Sequence, residues 1–315
     1  MIRSICLNPV IDRVYFINQF KAGQLYRDNR PAICTGGKGI NVAKVLAQLG
    51  EACTVYGFIG GSSGERVKTE IILLGIQQKF IEIGGDTRTT INIIDHDQDI
   101  ETEILEVGPT ADDGAIQNLI GQLNRDIVSG DIVICSGAII PGADLSIYQT
   151  ISKICEAKQA FCFLDTFGET FQHSLPGHYY FAKPNWREFI EYTGMVFEEF
   201  DEDAIVKSAG KLIDHGLENL MISMGKNGAI LINQTAMLRA RLPVVSNQSS
   251  IGSGDASVAG FAVGIHRGWD IEESFCLSMA CGISNAMHRE VGFVDLQEVN
   301  ELKSRIELTS RAVQK

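Results

Sequence analysis

The chain has 315 residues, 45% of them hydrophobic and 21% charged, which suits a globular protein with room for one large α/β domain or two smaller ones. A formal net charge of −12 argues against nonspecific binding to nucleic acid or to an anionic membrane. It leaves room for an anionic substrate gripped by a local cluster of cations. The eight cysteines contain no Cys-x-x-Cys pair and mostly stand in apolar runs, as buried thiols of a reducing compartment do. The six histidines are scattered without metal-ligand spacing.

Residues 2–7 predict a first strand, buried on both faces and closed by Asn8-Pro9, with Asp12 in the loop beyond. This start does not read as a signal peptide, and no apolar stretch approaches membrane-spanning length, so the expectation is a soluble, cytoplasmic protein. Residues 13–20 alternate apolar and polar side chains, which predicts a strand with one wet face; residues 30–34 are its candidate partner. Thr35-Gly36-Gly37-Lys38-Gly39-Ile40-Asn41 then opens a helix in which Val42, Val45, Leu46 and Leu49 recur at helical spacing and Gly50 is the stop. A strand over 52–59 and a helix over 64–74, ended by Gly75, follow.

Residues 87–106 predict a hairpin turning at Asp95-His96-Asp97-Gln98. One polar face on each strand excludes them from a central parallel sheet and groups them with 13–20 in a small separate β-layer. Beyond residue 130 strands and helices alternate: strand 131–136, helix 144–157, strands 160–166 and 179–182, helix 186–193, an acidic loop 197–203, helix 204–215 and strand 219–223. Residues 228–233 and 236–242 suggest an antiparallel pair; helices 256–267, 271–288 and 296–307 follow, with 309–315 as a frayed tail. Such alternation predicts an α/β fold whose mostly parallel central sheet carries helices on both faces.

Four motifs carry chemistry. In Gly252-Ser253-Gly254-Asp255 a Gly-rich turn enters an apolar helix, where unpaired N–H groups and the helix dipole make an anion site. Asp255 is then either an N-cap or a base that takes a proton from an attacking hydroxyl, and this run alone leaves both open. Gly36-Gly37-Lys38-Gly39 fits neither standard phosphate loop. Gly39 follows the lysine and Ala32 holds the first P-loop glycine position, while Val42 stands where a dinucleotide fingerprint needs its third glycine. Lys38 and Asn41 would still sit at a helix N-terminus near strand ends, where open α/β sheets bind ligands. Lys183-Pro184-Asn185-x-x-Glu188 pairs Asn185 with Glu188 at a helix start, as a capping box would. Ser223-Met224-Gly225-Lys226-Asn227-Gly228 runs from a strand end into a Gly loop, or a plain turn. Arg27 and Arg88 are solvated charges unless placed to grip a phosphate with paired donors.

In this order the motifs resemble the ribokinase-like PfkB carbohydrate kinases, over nearly the whole chain from Leu7-Asn8-Pro9 to about Gly292. Asn8-Pro9-x-x-Asp12 and Gly23-x-x-x-Arg27 look most like the phosphofructokinase-type branch, which includes 1-phosphofructokinases, tagatose-6-phosphate kinases and minor 6-phosphofructokinases. The resemblance implies a single three-layer ribokinase-like domain over 1–315, with a small β-lid from about 12–35 and 87–107 that pairs into a homodimer. It implies ATP and Mg²⁺ as cofactors. It implies that Asp255 is the general base and that Gly252, Ser253 and Gly254 form the anion hole. Asp12, Gly37 and Asn41 would hold sugar hydroxyls, and Lys38, Arg27 and Arg88 the phosphate already on the sugar. Lys183, Asn185 and the run Ser223, Met224, Gly225, Lys226, Asn227 and Gly228 would line the nucleotide, with Ala280, Gly282 and Asn285 near adenine. Asn185 and Glu188 would orient Mg²⁺ through water. The family's usual Ser-Gly-Ser is here Ser136-Gly137-Ala138, one hydroxyl fewer towards the sugar. The implied reaction is phosphorylation of a ketohexose monophosphate, fructose 1-phosphate before tagatose 6-phosphate or fructose 6-phosphate. The alternative from another class is a sugar-phosphate-binding regulator without catalysis.

Overall fold

The structure, a computed structural model, describes residues 1–27, 30–98, 100–195 and 201–313. Ten strands form one large sheet in the order β14-β13-β12-β11-β10-β9-β8-β1-β4-β5. Its members are β1 (Ile2–Cys6), β4 (Cys53–Ile59), β5 (Gln77–Glu82), β8 (Ile132–Ser136), β9 (Phe161–Asp165), β10 (Tyr179–Ala182), β11 (Leu217–Ser223), β12 (Ala229–Ile232), β13 (Ala236–Arg241) and β14 (Glu307–Ala312). From β5 to β11 all neighbours pair in parallel; β12, β13 and β14 continue the sheet antiparallel. The inner parallel strands β1, β4 and β8 are buried along their length because helices cover both faces, whereas the edge strand β5 is largely polar and partly exposed.

One face packs on α1 (Lys38–Gln48), α2 (Gly61–Leu73), α8 (Ser253–His266), α9 (Ile271–Ala286) and α10 (Leu296–Lys303). The other packs on α3 (Asp113–Asp126), α4 (Ile147–Lys158), α5 (Gly168–Ser174), α6 (Trp186–Thr193) and α7 (Glu202–Ile213). Helix α8 is buried on every side from Asp255 to Gly264, which fits its lack of a polar stripe. Among the described residues no helix is long and apolar enough to cross a membrane.

A second sheet of four strands, in the order β3-β2-β6-β7, comprises β2 (Val10–Phe16), β3 (Ala32–Gly36), β6 (Arg88–Asp95) and β7 (Ile100–Leu105). It is the separate layer that the half-wet strands predict, joined by a parallel β2–β6 pair that local pattern does not foresee. Chain direction reverses at β1: the chain goes to β4 and β5 on one side, then to β8 on the other. Ligands of open α/β sheets bind at the carboxyl ends of strands beside such a switch.

Several expectations need correction. Asp12 lies inside β2, paired with Cys34, and not in a loop. The last helix ends at Lys303, and Glu307–Ala312 is a strand along β13 where the sequence suggested helix and then fraying. An isolated edge strand with exposed alternate residues carries little hydrophobic signal, so only its pairing partner reveals it. β5, α3 and α5 lie where the sequence reading assigns nothing. Of the acidic loop 197–203, residues 197–200 lie outside the described residues, as do the last two residues of the tail; α7 already begins at Glu202.

Candidate active site

Five parallel-strand ends converge beside the switch. β1 ends before Asn8, β8 at Ser136, β9 at Asp165, β10 just before Lys183, and β11 at Ser223. Two helix N-termini, α1 and α8, open onto the same place. The N-cap of α8, Gly252, has φ +80°, a left-handed conformation that suits glycine, and no side chain caps the helix. Of its first-turn amides, Ser253 N donates to the Ser250 carbonyl at 3.2 Å, and no side chain competes with an anion for the others. A Cβ placed on Gly254 would come within 3.1 Å of Lys183 Nζ, so an ammonium stands at the mouth of the turn.

Asp255 does not cap. It lies within α8, 5% exposed, and its Oδ2 accepts a hydrogen bond of 2.8 Å from Asn41 Nδ2 on α1. Burial pushes its carboxyl up to about 7, against the pull of Lys38, Asn41 and Lys183, with Asp165 adding to the rise. Asn41 Oδ1 is buried without a partner in the protein, a free acceptor beside the carboxylate.

Asp165, absent from the sequence reading, is the fixed anion of the site. Its Oδ1 lies 3.3 Å from Lys38 Nζ and 3.6 Å from Lys183 Nζ, and its Oδ2 accepts from Ser136 Oγ at 3.1 Å. Burial alone would raise this carboxyl, but the two ammoniums outweigh it and hold it below the usual carboxylate range. Burial likewise pulls against Lys38, yet Asp165, Asp255 and Glu188 keep its ammonium above the ordinary value. The signal was present: Asp165 ends an apolar strand, the same position in a strand that drew attention to other polar residues.

Asp12 and Arg88 stand on β2 and β6 of the small sheet, close enough for the guanidinium to act on the carboxyl. Asp12 is 7% exposed; burial lifts its carboxyl to about 6 against Arg88 and Lys44, with Glu103 adding to the rise. A Cβ on Gly36 would fall 1.8 Å from Asp12 Oδ2, so glycine is required for Asp12 to occupy this place. Arg88 donates through Nε and Nη2 to the Asn8 carbonyl at 3.3 Å each. Arg27 is exposed in the β2–β3 connection. Gly37 is the N-cap of α1.

On the other side, Asn185 and Glu188 make the full capping box of α6: Asn185 N donates to Glu188 Oε2 at 2.8 Å and Glu188 N to Asn185 Oδ1 at 2.9 Å. A parallel bridge ties Asn185 to Ser223. From there Met224 leads into a tight turn over Gly225–Asn227, closed by Met224 N donating to Gly228 O at 2.8 Å; Gly225, Lys226 and Asn227 are exposed.

Ala280, Gly282 and Asn285 lie on α9 and pack against neighbouring elements. Ala280 is fully buried in α9. Asn285 is fully buried too, and its amide ties the Ile251 carbonyl (2.8 Å), Ser253 Oγ (3.3 Å) and Gly292 N (3.0 Å) together. It shapes the loop before Gly252. Gly282 faces α8, where a Cβ would come within 2.4 Å of Ser257 Oγ.

The site fits a nucleotide's phosphates through a helix start without a side-chain cap and the Lys183 and Lys38 ammoniums beside one carboxylate, and Asn41 Oδ1 is an acceptor suited to a hydroxyl. Among the described residues no three His, Cys, Asp or Glu side chains are grouped to hold a metal ion. A divalent ion here would rest mainly on phosphate oxygens and water; Asn185 and Glu188, near the end of β10, would reach it only through water.

The family model described as pfkB family carbohydrate kinase matches residues 4–293. The 1-phosphofructokinase of Bacillus subtilis is 32% identical over 309 residues, 98% of this chain and 99% of that protein. A Staphylococcus aureus structure solved as a candidate phosphofructokinase aligns with TM-score 0.84 at 30% identity over 100% of both chains. Phosphofructokinase-2 of Escherichia coli aligns with TM-score 0.89, covering 96% of this chain and 98% of that one; at 22% identity this speaks for the fold.

Proposed function

The chain belongs to the pfkB family of carbohydrate kinases, phosphotransferases with an alcohol acceptor, and we propose that it phosphorylates fructose 1-phosphate with ATP to give fructose 1,6-bisphosphate. The observation that carries the reading is Asp255. It is a buried carboxyl at an uncapped helix start, bonded to Asn41 and faced by Lys38 and Lys183. A group pushed up to about 7 is suited to take a proton near neutral pH. The acceptor's identity is supported by the similarity to the B. subtilis enzyme.

In this reading ATP with Mg²⁺ supplies the transferable phosphoryl group and a divalent counter-charge. Asp255 accepts the proton of the acceptor's primary hydroxyl while that oxygen bonds phosphorus and the bond to ADP breaks. Lys38, Lys183 and the amides of Gly252, Ser253 and Gly254 offset the charge on the transferring group; positioning and electrostatics of this kind carry phosphoryl transfer. Asp165 keeps both lysines aimed and holds the Lys38 ammonium charged. Asp12, Gly37 and Asn41 hold sugar hydroxyls, and Arg27, Arg88 and Lys38 the acceptor's phosphate. Lys183, Asn185 and the turn from Ser223 to Gly228 line the nucleotide, and Asn185 with Glu188 orients Mg²⁺ through water. The small sheet acts as a lid of a single kinase domain, and Glu101 Oε2 already accepts from Ser250 Oγ at 3.4 Å, next to the anion turn. Its outer face, with Ile91, Ile93 and Ile104 in one cross-strand group, pairs two copies into a dimer.

An ADP-release screen over fructose 1-phosphate, fructose 6-phosphate, tagatose 6-phosphate and unphosphorylated hexoses tests the reading. Fructose 1-phosphate should give the highest kcat/KM. A preference for a 6-phosphate would replace the acceptor, and absence of turnover with all of them would favour a binding protein without catalysis.

A further inference from the structure

Lys44 is a charge in the middle of an apolar helix. It is 8% exposed, and its α1 neighbours Ile40, Val42, Ala43, Val45 and Leu46 are buried. The phosphoryl chemistry above makes no use of it. A buried ammonium is costly unless paired and hydrogen-bonded, so its partners define its role. Lys44 Nζ donates to the Thr35 carbonyl at 2.6 Å and lies 3.5 Å from Glu70 Oε1 of α2. Both Glu70 carboxylate oxygens in turn lie 3.2 Å from Thr35 N, which donates to them. The N–H and the C=O of one residue are thus both taken by side chains from two helices.

Thr35 belongs to β3, an edge of the small sheet. Edge strands leave a row of backbone groups unpaired. Here Lys44 and Glu70 stand in for the missing neighbour, at the place where β3 runs through Gly36 and Gly37 into α1. In the register of β2 and β3, Cys34 lies opposite Asp12, Thr35 opposite Ile11 and Gly36 opposite Val10, and Gly36 also receives the Asp12 carboxylate. The same helix, α1, carries Lys38 and Asn41 towards Asp255 and Lys44 towards Thr35, at steps of three.

We propose that Lys44 and Glu70 form a positioning clamp at the junction of the two sheets, holding Asp12 on the acceptor side in fixed relation to Lys38, Asn41 and Asp255 on the phosphoryl side. The clamp rests on the kinase reading above, in which Asp12 holds the acceptor. Lys44 has a second effect through its charge. Asp12 is faced by Arg88 from β6, Lys44 from α1, Glu103 from β7 and Cys34 from β3, whose own thiol burial pushes up to about 11. Without Lys44 the Asp12 carboxyl moves further up, and less of it is ionised at neutral pH.

The test compares wild type with Lys44→Met, Lys44→Arg and Glu70→Gln, measuring KM for the sugar phosphate and for ATP across pH. Lys44→Met should raise the sugar-phosphate KM about tenfold and leave the ATP KM within about twofold. It should also move the acid limb of kcat/KM for the sugar phosphate to higher pH. Lys44→Arg should restore most of the loss. Glu70→Gln should raise the sugar-phosphate KM without that upward move of the limb, because Lys44 keeps its charge. An unchanged sugar-phosphate KM in Lys44→Met, or an equal rise in both KM values, overturns the clamp. Where Lys44→Met does not fold by circular dichroism, a wild-type-like sugar-phosphate KM in Glu70→Gln overturns it instead. An active wild type with unaffected variants removes the clamp alone; a wild type inactive on every sugar phosphate removes the acceptor reading and the clamp with it.

Discussion

A carboxylate in the first turn of a helix is normally favoured in its charged form, because it meets the positive end of the dipole. Asp255 departs from that rule because burial outweighs both the helix and the nearby lysines, and the carboxyl ends up at about 7. Two outcomes follow at this residue. Asp255→Asn should lose about 10³-fold or more in kcat while nucleotide binding by calorimetry is kept; near-normal turnover would remove the base assignment. The sign of the stability effect is also set. With a folded value raised above the ordinary one, the stability that Asp255 contributes is full in acid and is lost as pH rises through about 7. Asp255→Asn should therefore melt above wild type at pH near 8, and the gap should shrink at about pH 5. Arg88 belongs to the same scale. With the acceptor role proposed for it, Arg88→Ala should raise the sugar-phosphate KM about tenfold and narrow the preference over unphosphorylated fructose, because the proposed paired-donor grip on phosphate would be lost.

At the level of elements, the site is an arrangement of helix starts. α1 and α8 bring their N-termini to one point, while α6 ends its first turn in a closed capping box. The capping box separates two roles of Asn185. Asn185→Ala removes the acceptor for Glu188 N and should cost about 1 kcal/mol of stability by denaturant melts, whereas Asn185→Ser keeps a cap. If both variants also lose the dependence of rate on Mg²⁺ concentration, Asn185 serves the metal as well as the helix. A Mg²⁺ response equal to wild type in both would leave it a cap alone. β14 shows another property of elements. None of its residues is fully buried, so its sequence lacks the pattern of a core strand, yet it pairs with β13 along its full length.

For the whole molecule, the chain forms a ten-stranded sheet and a separate four-stranded one. Ile100 and Ile104 of β7 are 50% and 55% exposed on the outer side of the small sheet. Apolar side chains in such a cross-strand group suit a second copy of the chain. Sedimentation should give a dimer, and Ile104→Lys should shift it towards monomer; a monomeric wild type at micromolar concentration would remove this pairing.

Much of this was legible in the linear chain. Alternating apolar runs and helical spacing specify the α/β class, because a strand buried on both faces and a helix packed on it leave local marks. The glycine turns at Gly36 and Gly252 mark the two anion-facing helix starts for the same reason: backbone geometry there restricts residue choice. Asp165 and Lys44 were missed, because a charge inside an apolar run declares its role only when its partners, distant in sequence, come within reach. The surroundings of Gly282 and Asn285 are equally hidden in the linear chain, because which face of α9 is covered depends on α8 and on the loop to Gly292. The chain by itself determines its elements and the chemistry of its turns. Only the tertiary structure decides which buried charges meet, since burial and pairing are properties of neighbours that the local sequence does not contain.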